Sequence, residues 1–99
     1  MTDREIVLQI GKETDSECHF ITDMVKWEHK WEYEGVLAFC KNDRVTRVAF
    51  NNIDIFNLPD CIALLPALVE LDISETYIEE LPESIGNLSM LEELNHYVN

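Results

Sequence analysis

Leu58-Pro59-Asp60-Cys61-Ile62-Ala63-Leu64-Leu65 returns 23 residues later as Leu81-Pro82-Glu83-Ser84-Ile85-Gly86-Asn87-Leu88. The same step carries Val45, Val48, Phe50 and Ile55 onto Leu68, Leu71, Ile73 and Ile78, and then Leu68 and Leu71 onto Leu91 and Leu94. An apolar period held through two laps and into a third marks stacked structural units. Each unit can bury its apolar side only against its neighbours.

The spacings inside one lap say what each unit is made of. Leu68-x-x-Leu71-x-Ile73 ends in alternation, which predicts a short strand with Leu71 and Ile73 turned inward. Leu81-Pro82-x-x-Ile85-x-x-Leu88 spaces its apolar groups by three, as a tight helical or 3₁₀ turn requires. Pro82 fixes the entry to that turn, and Gly86 is expected to ease its exit.

Val-x-x-Val-x-Phe, Leu-x-x-Leu-x-Ile and Leu-Pro-Glu-Ser-Ile-Gly-Asn-Leu together resemble the leucine-rich repeat, in its intracellular 23-residue Leu-Pro-x-x-Ile-Gly class (the Ras-suppressor-like group). The resemblance covers residues 45–99. It implies an α/β fold: a short right-handed leucine-rich-repeat solenoid with an N-terminal α/β cap. The division it suggests is a cap over 1–44 and repeats over 45–99, in laps 45–67, 68–90 and a partial 91–99. The chain departs from the family where Asn is expected after each strand. Ile53 and Thr76 hold that place in the first two laps, and only Asn99 fits, so the usual Asn ladder is weakened. His96 stands where Phe50 and Ile73 stood. It is either a buried neutral His with a partner, or a sign that the last strand frays or that the array continues further.

Residues 1–44 contain no repeat and read as the cap over the first lap. Thr2-x-x-Glu5 forms a capping box, Ile6, Val7 and Ile10 share a helical face, and Gly11 is the expected stop. A strand over 6–10 is the competing reading, and 12–18 reads as a polar loop. Val25, Trp27, His29, Trp31 and Tyr33 alternate with charged residues as a half-buried strand would. Phe20, Met24, Trp27 and Trp31 also fall on one helical stripe, so periodicity leaves strand and helix open. Gly35-Val36-Leu37-Ala38-Phe39-Cys40, the turn Lys41-Asn42-Asp43-Arg44 and residues 45–50 read as strand, turn, strand. The tryptophans are expected in the cap core.

Composition narrows the function. With 46% apolar residues in 99, the chain can fold as one domain. Its net charge is −13, and from residue 48 onward there are ten acids and no Lys or Arg. Such a field repels phosphate backbones and anionic lipid, so neither nucleic acid nor membrane is an expected partner. Nothing in the first residues resembles a secretory signal, and three unpaired cysteines suit a reducing compartment, so a cytoplasmic location is expected. Cys40 and Cys61 sit among apolar residues and read as small buried hydrophobes. Cys18, His19, His29, Cys40, Cys61 and His96 show no zinc-ligand spacing. No phosphate-cradling glycine loop and no nucleophile motif are present. The expectation is a non-enzymatic module with no cofactor and no metal; a metal-binding or enzymatic domain is the least favoured alternative.

Strand alternation assigns the binding face. Residues flanking the inward pairs point to the opposite, concave side: Arg47, Ala49 and Asn51, then Glu70, Asp72 and Ser74, then Glu93, Asn95 and Tyr97. Residues 23 apart would stack in columns, one of them Arg47, Glu70, Glu93. Two glutamates in one column repel. On a face that such folds use for binding, that repulsion points to a protein partner with a basic patch. The alternative is self-assembly, a homodimer formed through the C-terminal edge strand with Tyr97 and Val98 in contact.

Overall fold

The capping box opens the first helix, α1 (Asp3–Glu13), in a computed structural model that describes residues 1–96. The Glu5 N–H donates to Thr2 Oγ1 at 3.1 Å and the Thr2 N–H to Glu5 Oε1 at 2.8 Å. These bonds hold the Glu5 carboxyl below its ordinary value. Ile6, Val7 and Ile10 face the core, as the helical reading requires. Gly11 lies inside the helix and does not stop it. A Cβ at Gly11 would overlap Cys18 Sγ, so the glycine is there for close approach. The expected loop over 12–18 is correspondingly shorter, because α1 runs through Glu13 and a strand, β1 (Cys18–Ile21), begins at Cys18.

The aromatic segment is helical. Asp23 caps α2 (Met24–Glu28), its Oδ1 accepting from the Val25 N–H at 2.9 Å, and a 3₁₀ turn over Lys30–Glu32 follows. Trp27 is buried, as a cap-core residue should be, but Trp31 is 62% exposed. Strands β2 (Gly35–Lys41) and β3 (Arg44–Asn51) form the expected antiparallel hairpin. Asn42 and Asp43 both take positive φ, the conformation a tight hairpin turn needs.

β4 (Glu70–Asp72) and β5 (Glu93–Asn95) complete a five-stranded sheet in the order β1-β2-β3-β4-β5, giving a mixed α/β fold. β1 runs parallel to β2, and β3, β4 and β5 are parallel to one another. Val48 pairs with Leu71 and Leu71 with Leu94, so residues one sequence period apart lie side by side. The Leu-Pro segments form 3₁₀ turns, Asp60–Leu64 and Glu83–Asn87, each entered through its proline. Gly86 keeps an ordinary φ within the second turn and is not a special exit residue.

One core lies beneath the sheet. Ile6, Val7 and Ile10 of α1 meet Val48, Phe50, Leu71 and Ile73, with Ile62, Leu65 and Leu88 of the return turns closing it. Burying a Leu or Ile side chain fully is worth about 1.5–3 kcal/mol. Leu94, expected in that interior, is 36% exposed. It holds the row but, among the described residues, has a neighbouring strand on one side only. Where the Asn ladder is weakened, backbone bonds join the two segments: Ile53 N–H to Glu75 O and Tyr77 N–H to Ile55 O. Thr76 Oγ1 donates to Ile73 O at 2.7 Å. His96 is half-buried and donates from Nε2 to Ile78 O at 2.7 Å, the partnered-histidine alternative.

Candidate protein-docking surface

The columns expected on the second face of the sheet are formed. Arg47 lies beside Glu70 and Glu70 beside Glu93, and the next column is Ala49, Asp72, Asn95. Arg47 Nη1 pairs with Glu70 Oε1. Ser74, just past β4, donates from its N–H and its Oγ to Asp72 Oδ1, at 2.9 and 2.6 Å. Asn95 Nδ2 donates to Glu93 Oε2 at 3.5 Å. Tyr97, placed on this face by the sequence, lies outside the described residues.

Much of the face is nevertheless covered, which corrects the expectation of an open surface. A second core of Ile21, Trp27, Leu37, Phe39 and Ala49, flanked by Tyr33, occupies this side of β2 and β3. The chain that follows α2 extends the cover toward β4. Asn51 is buried and donates from Nδ2 to Lys30 O at 2.7 Å, and Lys30 Nζ stands 3.9 Å from Asp72 Oδ2. Glu70 and Asp72 are buried as well. Of the expected face, Glu93 is exposed and Arg47, Ser74 and Asn95 are half-exposed.

Burial gives this column its chemistry. Loss of solvent pushes the Glu70 carboxyl above its ordinary value; Arg47 offsets part of the rise, and Glu93 adds to it. The one guanidinium of the column is paired with Glu70, and Glu93 holds the outer, exposed position.

Comparison of the chain with protein-family models, with curated proteins and with solved structures gave no match. The geometry therefore carries the functional reading. Among the described residues, no three His, Cys, Asp or Glu side chains come together as metal ligands would. All three cysteines are free and half-buried rather than sealed, and burial pushes each thiol up. Cys61 is pushed up to about 12, first by burial and then by Glu13, to which its Sγ donates at 3.2 Å. No helix among the described residues is long and apolar enough to cross a membrane.

Two features escaped the sequence reading. A groove of about 580 Å³ opens beside Arg47, lined by Thr22, Met24, Phe39, Thr46 and Val69. It exists only because α2 comes to rest near the β2–β3 hairpin, and no period records that contact. Phe56 and Tyr77, both more than half exposed, stack with ring centroids 5.5 Å apart. They occupy unlike places in their laps, so the repeat does not bring them into register; an aromatic beside an inward Ile (Ile55, Ile78) was the available signal.

Proposed function

We propose that this chain is a leucine-rich-repeat interaction module, non-enzymatic, whose acidic strand face receives a protein bearing a basic patch. The 23-residue register of the parallel strands supports the repeat reading, since Val48, Leu71 and Leu94 share one row. The observation that carries the docking reading is the Arg47-Glu70-Glu93 column. Its single cation is engaged by the buried Glu70, which leaves Glu93 exposed beside a like charge. A partner's Lys or Arg over Glu93 would relieve that repulsion, and Arg47 would orient an acidic residue next to it. The apolar groove beside Arg47 offers the desolvated anchor that a charged rim alone lacks.

Reversal of Glu70 or Asp72 would test folding as much as binding, because both are buried and paired with Arg47 and Lys30. Glu93→Lys is the discriminating variant. In titrations with a lysine- and arginine-rich peptide, it should weaken binding about tenfold, the effect of a desolvated charge pair lost at an interface. Glu83→Lys, on the second return turn, makes the same change in net charge and should cost far less. Equal losses in the two variants would mean that the peptide senses only the overall charge of −13.

A further inference from the structure

The row of apolar positions that is sealed in the first two laps stands open in the third. Val48 and Leu71 are fully buried, whereas Leu94, in the same row, is 36% exposed and Met90 just before it 54%. β5 is the outer strand of the sheet on this side among the described residues. Its inner side is satisfied: the Glu93 N–H donates to Val69 O at 3.0 Å, and Asn95 O accepts from the Ile73 N–H at 2.8 Å. Backbone groups of successive strand residues face opposite edges. The N–H and C=O of Leu94 therefore point outward, away from β4. Among the described residues this edge carries no Pro and no Lys over 92–96 and no bulge in the β4–β5 register; at three residues β5 is short, so its free backbone groups are concentrated at Leu94.

We infer that two copies of this chain join edge to edge through β5, antiparallel, about a two-fold axis at Leu94. The sequence is complementary to itself in that register. The two Leu94 residues exchange both backbone hydrogen bonds, and their side chains meet on the core side of the sheet. Glu93 falls opposite Asn95 of the second copy, so no like charges face each other within the strand; Glu92, whose N–H donates to Val69 O at 2.8 Å, turns toward β4 and stays outside the pairing. Centring the axis on Glu93 instead would set two carboxylates directly opposite, which is unfavourable. The two-fold closes the assembly at this edge, since each copy spends its β5 edge once. This inference is independent of the docking reading above, because it needs no basic partner and uses the edge of the sheet rather than its face. The opposing force is the charge of −13 on each copy. Salt screens that repulsion over about 8 Å at physiological ionic strength, so association should strengthen as salt is added.

Sedimentation velocity of the 99-residue chain alone, over a wide concentration range at low and moderate salt, tests this directly. The sedimenting mass should double and then stop growing. Leu94→Pro deletes an outward N–H from each copy and should raise the dimer dissociation constant about tenfold or more, with the circular dichroism of the monomer unchanged. The combined change Glu93→Cys with Asn95→Cys gives a second readout that gains a signal. In the proposed register these positions form a non-hydrogen-bonded pair with Cα atoms about 4.5 Å apart, within disulfide reach. Mild oxidation should cross-link that variant as a covalent dimer and leave the natural chain and both single variants uncoupled. A chain that stays monomeric at every concentration and salt, a mass that keeps growing as head-to-tail addition to β1 would produce, or a dimer indifferent to both sets of changes would each overturn the proposal.

Discussion

The two halves of the molecule reach the same sheet by different means. Residues 45–96 are held by a contact repeated at a fixed interval, so Val48, Leu71 and Leu94 lie in one row and each strand is a template for the next. Residues 1–44 are held by fits that occur once. Gly11 admits Cys18, and Gly35, at φ +97°, admits the backbone of Glu17. Buried Asp3 accepts from the Val45 N–H at 3.0 Å and pairs with Arg44 Nε at 3.2 Å. Repetition spreads stability over many similar contacts, and its weak point is the end of the row. One-off fits concentrate stability, and each is a weak point of its own.

The largest effect should come from the middle of the row. Leu71→Ala removes a side chain that is fully buried between two neighbouring strands and should cost about 2–5 kcal/mol in urea denaturation. Leu94→Ala, at the same place in the period but at the open end, should cost less than about 1.5 kcal/mol. Equal costs would mean that position in the row does not govern burial, and the contrast between sealed and open laps would fail.

Gly35→Ala probes the other half. Its backbone conformation costs an L-residue about 1–2 kcal/mol, and the added Cβ would overlap Glu17 O, a backbone atom that no side-chain rotation can clear. A loss of about 2–4 kcal/mol is expected, with the parallel β1–β2 pairing the first region to lose protection in hydrogen exchange. Uniform loss of protection over all five strands would show instead that the two halves unfold as one unit.

The same contrast explains what the sequence disclosed. The row of Val48, Leu71 and Leu94 was legible because each position is written again 23 residues on, and so was the Arg47-Glu70-Glu93 column. Thr2 and Glu5 were legible because a capping box is a local pattern with a local cause. β1 was not: four residues, Cys18–Ile21, with no clean alternation, depend on β2 for their pairing. The aromatic segment satisfied both periods, and the decision lay in Asp23, whose side chain caps α2. The face that bears the Arg47-Glu70-Glu93 column was placed correctly in register and wrongly in exposure. Its cover comes from Trp27 and Lys30, and where a short helix settles on a sheet leaves no periodic trace.

Glu70 lies beside the place where the two halves meet, and its titration measures how its burial balances its pairing with Arg47. Its place in the column comes from the repeat, while the chain around Lys30 closes over the neighbouring Asn51 and Asp72. Burial raises the Glu70 carboxyl above its ordinary value near 4.5, so the folded chain keeps a proton that the unfolded chain releases. Stability linked to this proton is full below that value and is lost as pH rises through the raised folded one. Glu70→Gln cannot release the proton. Measured by urea denaturation from about pH 4 to pH 7, the stability of the natural chain relative to this variant should fall as pH rises. The change should be smaller than the cost of Leu71→Ala or of Gly35→Ala, because Arg47 recovers part of the burial cost. A difference that rises with pH would instead show that the Arg47 pair outweighs burial. The column would then be a neutralised structural contact, not a face with negative charge in excess.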